Sequence, residues 1–264
     1  MMPWRNGIRL PVVVPSSGPL YEGHFPGRPI LPGVGLLDLA LRALAAAGAS
    51  PTLREIVALR LRRLIAPGEH LEIEVKAFDP DGRARLEVRR AAGVVANGVV
   101  VLGESSPGTM PVAPRPQPRR PSVAPDLDDL LPHRPPMRFV EAIEAETDGG
   151  VVCAVRVPAL CAFTERGSAP ALVALEMAAQ SAAVFEALLR FRREEDGGAR
   201  VGYLVGARNV RFARARVPAG VTIFAAVRLA AIAPPLSTYD FEVSDATGVV
   251  ASGTLSVWLT AKGA

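Results

Sequence analysis

The sequence predicts an α+β protein built from two similar halves, each with one apolar helix and a mainly antiparallel sheet. The chain has 264 residues, 49% of them hydrophobic, which is enough for a sizeable core. Each half contains an apolar stretch with helical character, and it is followed by alternating segments typical of half-buried strands. These alternating segments are residues 70–78, 83–90, 221–231 and 237–245.

The two apolar stretches, which begin near residues 33 and 171, are apolar on nearly every face. A helix of that kind is expected to be enclosed rather than laid on a surface. We therefore expect two antiparallel sheets side by side, each wrapping a central long helix, in an intramolecular pseudo-dimer.

An internal repeat supports the division into halves. Three pairs of similar segments follow each other in the same order in both halves. The pairs are 24–38 with 162–176, 59–68 with 210–220, and 93–98 with 248–253. The offset grows after the first pair, which predicts an insertion and a longer second helix. The stretch 104–125 is rich in proline and arginine and is typical of an extended linker, so the predicted domains are 1–103 and 126–264.

Composition narrows the class of protein. The two cysteines make no disulfide framework and no zinc site, and a reducing cytoplasm suits them best. The apolar run before Pro15 is too short for a signal peptide. Residues 169–189 approach membrane-spanning length, but charged and polar side chains interrupt them, so we expect a buried helix and no membrane span. A net charge of +4 with 5% aromatic residues favours an acidic protein or an anionic ligand over nucleic acid.

One motif is long and specific. It reads His24-Phe25-Pro26-Gly27, Pro29 and Pro32-Gly33-Val34, and an acid, Asp38, follows the histidine by fourteen positions. The motif resembles that of the β-hydroxyacyl-acyl-carrier-protein dehydratases of fatty-acid synthesis, whose hot-dog fold is a sheet wrapped around one long helix. Residues 130–143 are similar to the family's N-terminal segment, and residues 175–180 are similar to its helix motif. The resemblance covers nearly everything except the linker and implies a double hot-dog.

The second half also resembles one subunit of the paired dehydratases found in aryl polyene pigment clusters. In those dehydratases two unlike hot-dog chains associate, so the resemblance implies that both kinds are fused here. The acyl group would then belong to either a fatty or an aryl polyene chain, and the sequence leaves this choice open.

In the β-hydroxyacyl-acyl-carrier-protein dehydratases, each active site takes a histidine from one hot-dog and an acid from the helix of the other. The first half supplies His24, but the matching position of the second half is Ala162. The resemblance therefore implies one composite site, in which His24 meets Glu176, and a vestigial site, in which Asp38 faces Ala162. Gln180, one helical turn after Glu176, corresponds to Arg42 in the first half and agrees with this asymmetry.

Dehydration explains these residue types. A neutral imidazole, His24, can take the proton α to a thioester. The backbone N–H of Gly33 and the helix dipole would stabilise the developing oxyanion. Burial would keep Glu176 neutral, so that this carboxyl either donates a proton to the departing β-hydroxyl or holds the hydroxyl while His24 donates. Both routes stay open.

Further residues complete the predicted site. Those expected to contact substrate are Phe25, Pro32, Val34 and Gln180. A set of arginines could be a solvated sheet edge, but we prefer a docking patch for acidic acyl carrier protein. The patch comprises Arg28, Arg62, Arg63, Arg211, Arg214 and Arg216. His133 is interpreted as structural, Cys161 as a packing residue and His70 as a surface residue that enters a strand.

The resulting hypothesis is a dehydratase that converts a (3R)-3-hydroxyacyl group on acyl carrier protein to the trans-2-enoyl product. It would need no metal or redox cofactor, the phosphopantetheine arm would enter a tunnel between the halves, and a homo-oligomer of the double hot-dog is possible. Two alternatives are a hot-dog thioesterase and a non-catalytic carrier-binding partner, the latter because the second histidine is missing.

Overall fold

The computed structural model describes residues 7–48, 52–77, 79–103, 125–193 and 201–260. Apart from Pro125, the predicted linker lies outside the described residues. The elements on either side of it follow the two halves of the sequence repeat.

The first half is a five-stranded sheet with one helix. Its elements are β1 (Ile8–Val13), α1 (Gly33–Ala46), β2 (Thr52–Leu61), β3 (His70–Ala77), β4 (Arg83–Arg90) and β5 (Gly93–Gly103). The strands lie in the order β1-β3-β4-β5-β2, and the pairs are antiparallel. In β3 the side chains of Leu71, Ile73 and Val75 are buried while their neighbours face outward, because successive side chains of a strand point to opposite faces.

The second half repeats this plan with additional elements. They are α2 (Leu127–Leu130), β6 (Val140–Thr147), β7 (Gly150–Arg156), β8 (Ser168–Pro170), a 3₁₀ turn (Ala171–Val173), α3 (Ala174–Arg192), β9 (Gly202–Phe212), β10 (Arg216–Pro218), β11 (Thr222–Ala233), β12 (Leu236–Asp245) and β13 (Gly248–Leu259). Six of the strands form a sheet in the order β9-β13-β12-β11-β7-β6, and β8 pairs separately with β10.

The two sheets are joined rather than merely adjacent. Strands β2 and β9 pair antiparallel, with Ile56 opposite Val210, so the described strands form one sheet of eleven. The sequence predicted two sheets, and the difference has a simple reason. Taken alone, the sheet of each half would have an edge strand, β2 or β9, with unpaired backbone N–H and C=O groups. When the two edge strands pair, these groups form hydrogen bonds with each other.

Helix α3 is enclosed by its own sheet. It has 19 residues against 14 in α1, as the predicted insertion requires, and it packs on β6, β7, β11, β12 and β13. Among the described residues, 171–192 form one stretch that is long and apolar enough to cross a bilayer, but 78% of its most apolar window is buried inside the protein. The apolar character of α3 is therefore that of a core helix.

The two halves also meet at the start of their helices. Helix α1 contacts the 3₁₀ turn that precedes α3. The loop before α1 contacts the segment between α2 and β6, where the backbone N–H of Arg134 donates to the Gly23 carbonyl at 2.8 Å. Gly23 has a φ of +77°, and a Cβ there would overlap the Arg134 carbonyl oxygen. This close approach brings residues of both halves to one site.

Candidate active site

His24 is held in a tight turn that ends where α1 begins. Its backbone N–H donates to the Tyr21 carbonyl at 3.1 Å, and the next residue, Phe25, has a φ of +54°, which is uncommon for a bulky side chain. The Nδ1 atom of His24 lies 3.1 Å from the Ile30 carbonyl oxygen. Because a carbonyl only accepts, Nδ1 carries the hydrogen in this contact and Nε2 keeps its lone pair. The turn therefore fixes the tautomer that a general base requires.

Glu176 lies in the first turn of α3 and is fixed by Gln180. The Gln180 amide nitrogen donates to the Glu176 carboxylate at 3.0 Å and to the Met137 carbonyl at 2.8 Å. The amide oxygen of Gln180 accepts from the Phe139 backbone N–H at 2.8 Å. Gln180 is fully buried, and its amide is engaged with protein groups. It orients Glu176, which corrects the prediction that it contacts substrate.

His133, which we interpreted as structural, lies inside the site. Its Nε2 atom is 3.4 Å from the Glu176 carboxylate, and its ring centroid lies 5.5 Å from that of His24 and 5.1 Å from that of Phe25. The imidazole is buried, and its Nδ1 atom has no hydrogen-bond partner among the described residues. The sequence signal was the similarity of residues 130–143 to the family's N-terminal segment. Only the packing of the two halves puts this residue beside Glu176.

A small cavity of about 60 Å³ lies where the two halves meet. His24 and Phe25 line it from the first half, and His133 and Glu176 line it from the second. One ligand atom from each of His24, His133 and Glu176 lies within 4.8 Å of the others. Two imidazoles and a carboxylate at this distance are suited to proton transfer, and they are also residue types that can hold a transition-metal ion. The structure thus brings together the histidine and the acid that the sequence paired.

The buried surroundings set the proton states of these groups. Burial lowers the pKa of His24 to about 4, against a weaker opposing effect of the Glu176 charge. Burial alone would raise the pKa of Glu176, but the hydrogen bond and charge of His133, the charge of His24 and the Gln180 amide outweigh it and lower that pKa to about 2. Glu176 is therefore ionised at neutral pH. This corrects the expectation that burial keeps it protonated.

A second and larger cavity of about 530 Å³ adjoins the first. The two cavities share lining residues, among them Leu31, Gly33 and Tyr203. Arg62 and Arg63 lie on the wall of the larger cavity, and both are exposed. The hydroxyl of Tyr203 is buried and, like His133 Nδ1, has no hydrogen-bond partner among the described residues. Sequence reasoning missed Tyr203, because a tyrosine near the start of a strand carries no motif.

The other predicted contact residues divide between the two cavities and the core. Gly33 is the first residue of α1 and lines both cavities, and its N–H precedes the first intrahelical hydrogen bond, from Leu36 to Pro32. Phe25 lines the small cavity and Pro32 the large one. Val34 lines neither cavity, since it is fully buried in the core, which corrects its predicted role.

The region that corresponds to a second active site is occupied by an ion pair. Asp38 is buried and accepts from the Arg42 guanidinium at 2.6 Å. Arg42 stands one turn after the acid, where α3 has Gln180. Burial, with smaller effects of the Glu176 and Asp38 charges, raises the pKa of the Cys161 thiol to about 11. Cys161 is thus a neutral packing residue at physiological pH, as predicted.

The predicted docking arginines fall into two groups. Arg214 pairs with Asp245 at 2.7 Å, and Arg216, which is exposed, donates to the Ser168 carbonyl at 2.8 Å, so both also make contacts within the second half. Their assignment to the docking patch stays a prediction. Arg28, Arg62, Arg63 and Arg211 are exposed, although Arg62 also donates to the Asn97 side chain at 2.8 Å. His70 is exposed at the start of β3, where the sequence placed it.

Comparison with known proteins gives two family matches in tandem. Residues 4–99 match the ApeI-like family, described as ApeI dehydratase, and residues 125–262 match the ApeP-like family, described as ApeP dehydratase. These two spans correspond to the two halves of the chain.

Two curated relatives are both named 3-hydroxyacyl-[acyl-carrier-protein] dehydratase FabZ. The 3-hydroxyacyl-[acyl-carrier-protein] dehydratase FabZ of Jannaschia sp. is 30% identical over 125 residues, which are 40% of this chain and 77% of the relative. FabZ of Symbiobacterium thermophilum is 32% identical over 99 residues, which are 34% of this chain and 63% of the relative.

Among solved structures, the dehydratase domain of PpsC from Mycobacterium tuberculosis, in complex with C12:1-CoA, is similar with a TM-score of 0.68. It is 19% identical, and the match covers 98% of this chain and 96% of that domain. At this identity the likeness shows the fold, a double hot-dog, over the whole length.

Proposed function

The chain belongs to the ApeP-like dehydratase family, with an ApeI-like dehydratase half fused before it, and from this premise we propose that it dehydrates a (3R)-3-hydroxyacyl thioester on acyl carrier protein to the trans-2-enoyl thioester. The observation that carries the proposal is the shared cavity of His24, from the ApeI-like half, and Glu176, from the ApeP-like half. In the fused pair this cavity forms a composite active site, to which each half contributes one of the two groups.

In the proposed reaction His24 Nε2 takes the α-proton, and the electron pair of the C–H bond moves toward the thioester oxygen. The N–H of Gly33, at the positive end of the α1 dipole, stabilises the negative charge that develops on this oxygen. The Glu176 carboxylate accepts a hydrogen bond from the β-hydroxyl and holds it for departure. The buried Tyr203 hydroxyl is a further donor for a polar group of the substrate. These steps use side chains and one backbone N–H of the protein, so we propose that no metal ion or redox cofactor takes part.

We also propose that the larger cavity admits the phosphopantetheine arm of acyl carrier protein. It adjoins the catalytic cavity, and Arg62 and Arg63 lie on its wall, where they suit a phosphate and an acidic carrier surface. The acyl chain is either fatty or of the aryl polyene type. Turnover of saturated and aryl-substituted 3-hydroxyacyl thioesters of matched length distinguishes the two.

The experiment that tests this function is a product assay on a 3-hydroxyacyl-carrier substrate. We expect the enoyl product without release of free carrier thiol, and the same rate after dialysis against a chelator. His24→Ala and Glu176→Gln should each lower kcat/KM by at least about 100-fold, because each removes a group that acts on the reacting atoms.

Asp38→Asn is the matched control of this experiment, since Asp38 is the corresponding helix acid of the other half. It should stay within about threefold of the wild type if the variant is folded. Equal losses in Asp38→Asn and Glu176→Gln would contradict a single site. Release of free thiol would indicate a thioesterase, and carrier binding without turnover would indicate a non-catalytic partner.

A further inference from the structure

We propose that His133 is a second catalytic residue, which donates from Nδ1 the proton that the departing β-hydroxyl needs to leave as water. This inference rests on the proposed dehydration and assigns the step that the sequence left open between His24 and Glu176.

The geometry of His133 is that of an imidazole backed by a carboxylate. Its Nε2 atom lies 3.4 Å from the Glu176 carboxylate, and Gln180 holds that carboxylate from the other side at 3.0 Å. The ring is thus oriented through one nitrogen, and the other nitrogen is left for a different partner. A carboxylate that accepts a hydrogen bond from Nε2–H stabilises positive charge on the ring.

Nδ1, the other nitrogen of this ring, lacks a partner within the part of the chain that the structure describes. His133 Nδ1 is buried and has no hydrogen-bond partner among the described residues, although buried polar atoms are nearly always paired. His133 also lines the small cavity in which His24 and Glu176 meet. A substrate hydroxyl in that cavity would supply the missing acceptor.

The neighbouring groups are less suited to donate the proton. Glu176 is ionised at neutral pH, since its pKa is lowered to about 2, so it has no proton to give. His24 is neutral in the resting site, and its Nδ1–H is bound to the Ile30 carbonyl. It could return only the α-proton that it has just removed, and it would have to reach the β-hydroxyl to do so. With His133 as the acid, His24 need not both remove the α-proton and protonate the β-hydroxyl.

In the proposed cycle His24 begins as neutral imidazole, and His133 begins as imidazolium with a hydrogen on each ring nitrogen. The α C–H bond breaks and its proton goes to His24 Nε2. Its electron pair is first shared with the thioester oxygen and then forms the Cα–Cβ double bond. The Cβ–O bond breaks, its electron pair stays on oxygen, and that oxygen takes the Nδ1 proton of His133, which releases water. His24 ends as imidazolium and His133 as neutral imidazole. The proton on His24 returns to His133 by way of Glu176 or solvent, and this restores the resting state.

The test compares two leaving groups on the same acyl chain. A 3-hydroxyacyl thioester needs a proton on the leaving oxygen, whereas a 3-chloroacyl thioester releases chloride and needs none. His133→Gln keeps an amide that can donate to Glu176 but cannot act as an acid. We expect this variant to lose about 100-fold or more in kcat on the hydroxyl substrate and to stay within about threefold of wild type on the chloro substrate, after subtraction of the uncatalysed rate.

His24→Ala should lose activity on both substrates, because both require removal of the α-proton. Equal losses on the two substrates in His133→Gln would overturn the proposal and leave His133 a positioning residue, and an unchanged rate on the hydroxyl substrate would overturn it as well. If the melting temperature of His133→Gln is well below that of the wild type, His133→Asn is compared on the two substrates in its place. Failure of the wild type to dehydrate the hydroxyl substrate would instead count against the proposed function.

Discussion

At the residue scale, the same burial has opposite consequences for His24 and Glu176. Removal from water disfavours the charged form of each group. For His24 burial outweighs the opposing effects of the Glu176 charge and the Ile30 carbonyl, so its pKa is lowered and its neutral form dominates. Glu176 is surrounded by donors from His133 and Gln180, so its charged form dominates in spite of burial. A neutral base and an ionised carboxylate can therefore stand side by side at neutral pH.

The lowered pKa of His24 predicts an unusual acid limb in the pH dependence. The base acts only when neutral, so kcat/KM should be nearly constant from neutral pH down to about pH 5.5 and fall as the pH approaches about 4. An ordinary imidazole would already lose half of its activity at about pH 6.5. The measurement is kcat/KM against pH on the 3-hydroxyacyl substrate.

The fold must be followed by circular dichroism at each pH of this series. Both His24 and Glu176 have folded-state pKa values below their usual ones, so the unfolded state binds more protons and the free energy of unfolding falls as the pH decreases. The contribution of His24 to the free energy of unfolding is complete above about pH 6.5 and is lost as the pH falls to about 4. An acid limb centred near pH 6.5 in a folded protein would contradict the assignment of His24 as the buried base.

At the scale of elements, the groups to which we assign catalysis lie at the ends of helices and in the loops before them. Pro32 restricts φ just before α1, and Gly33 begins the helix next to both cavities. The loop with His24 and the segment with His133 are held together by the backbone contact of Gly23 with Arg134. A side chain at position 23 would separate them, so this glycine is required by a close approach of two backbones.

We expect the carrier protein to bind at the segment directly after β2. Because Arg62 and Arg63 line the larger cavity, the double variant Arg62→Glu/Arg63→Glu should raise KM for carrier-bound substrate by about tenfold or more, while kcat/KM for the pantetheine thioester stays near that of wild type. The measurement is steady-state kinetics with both forms of the substrate, and the difference in KM should shrink at high salt.

The control for this pair is Arg83→Glu/Arg85→Glu on β4. It makes the same change in charge at exposed positions, and β5 separates β4 from β2 in the sheet. Equal effects of the two double variants would mean that the net charge of the protein, and not this cavity, attracts the carrier. An equal rise in KM for both substrate forms would mean that the cavity itself is damaged.

At the scale of the whole molecule, the repeat was readable from the sequence, and the contacts across it were only partly so. The family resemblance, applied to the motif around His24 and to its counterpart without a histidine, implied a composite site with Glu176, and the structure places the two residues in one cavity. The position of His133 beside Glu176 could not be predicted, because it depends on how one loop of each half packs against the other. The pairing of β2 with β9 could not be predicted either, because the sequence of an edge strand does not say which strand will pair with it.

The composite site predicts that catalysis requires both halves but not the covalent link between them. Residues 1–103 contain His24 and residues 126–264 contain Glu176 and His133, so neither fragment alone has a complete site. When the two fragments are produced together, the pairing of β2 with β9 and the buried contacts around the cavity should reassemble the site. We expect dehydration by the co-expressed pair within about tenfold of the intact chain, and less than about 1% of its rate from either fragment by itself. The control is a co-expressed pair that carries His24→Ala, which should be inactive although it assembles. Activity of the second fragment alone would mean that the base lies within that half, because no group of the first half could then be required.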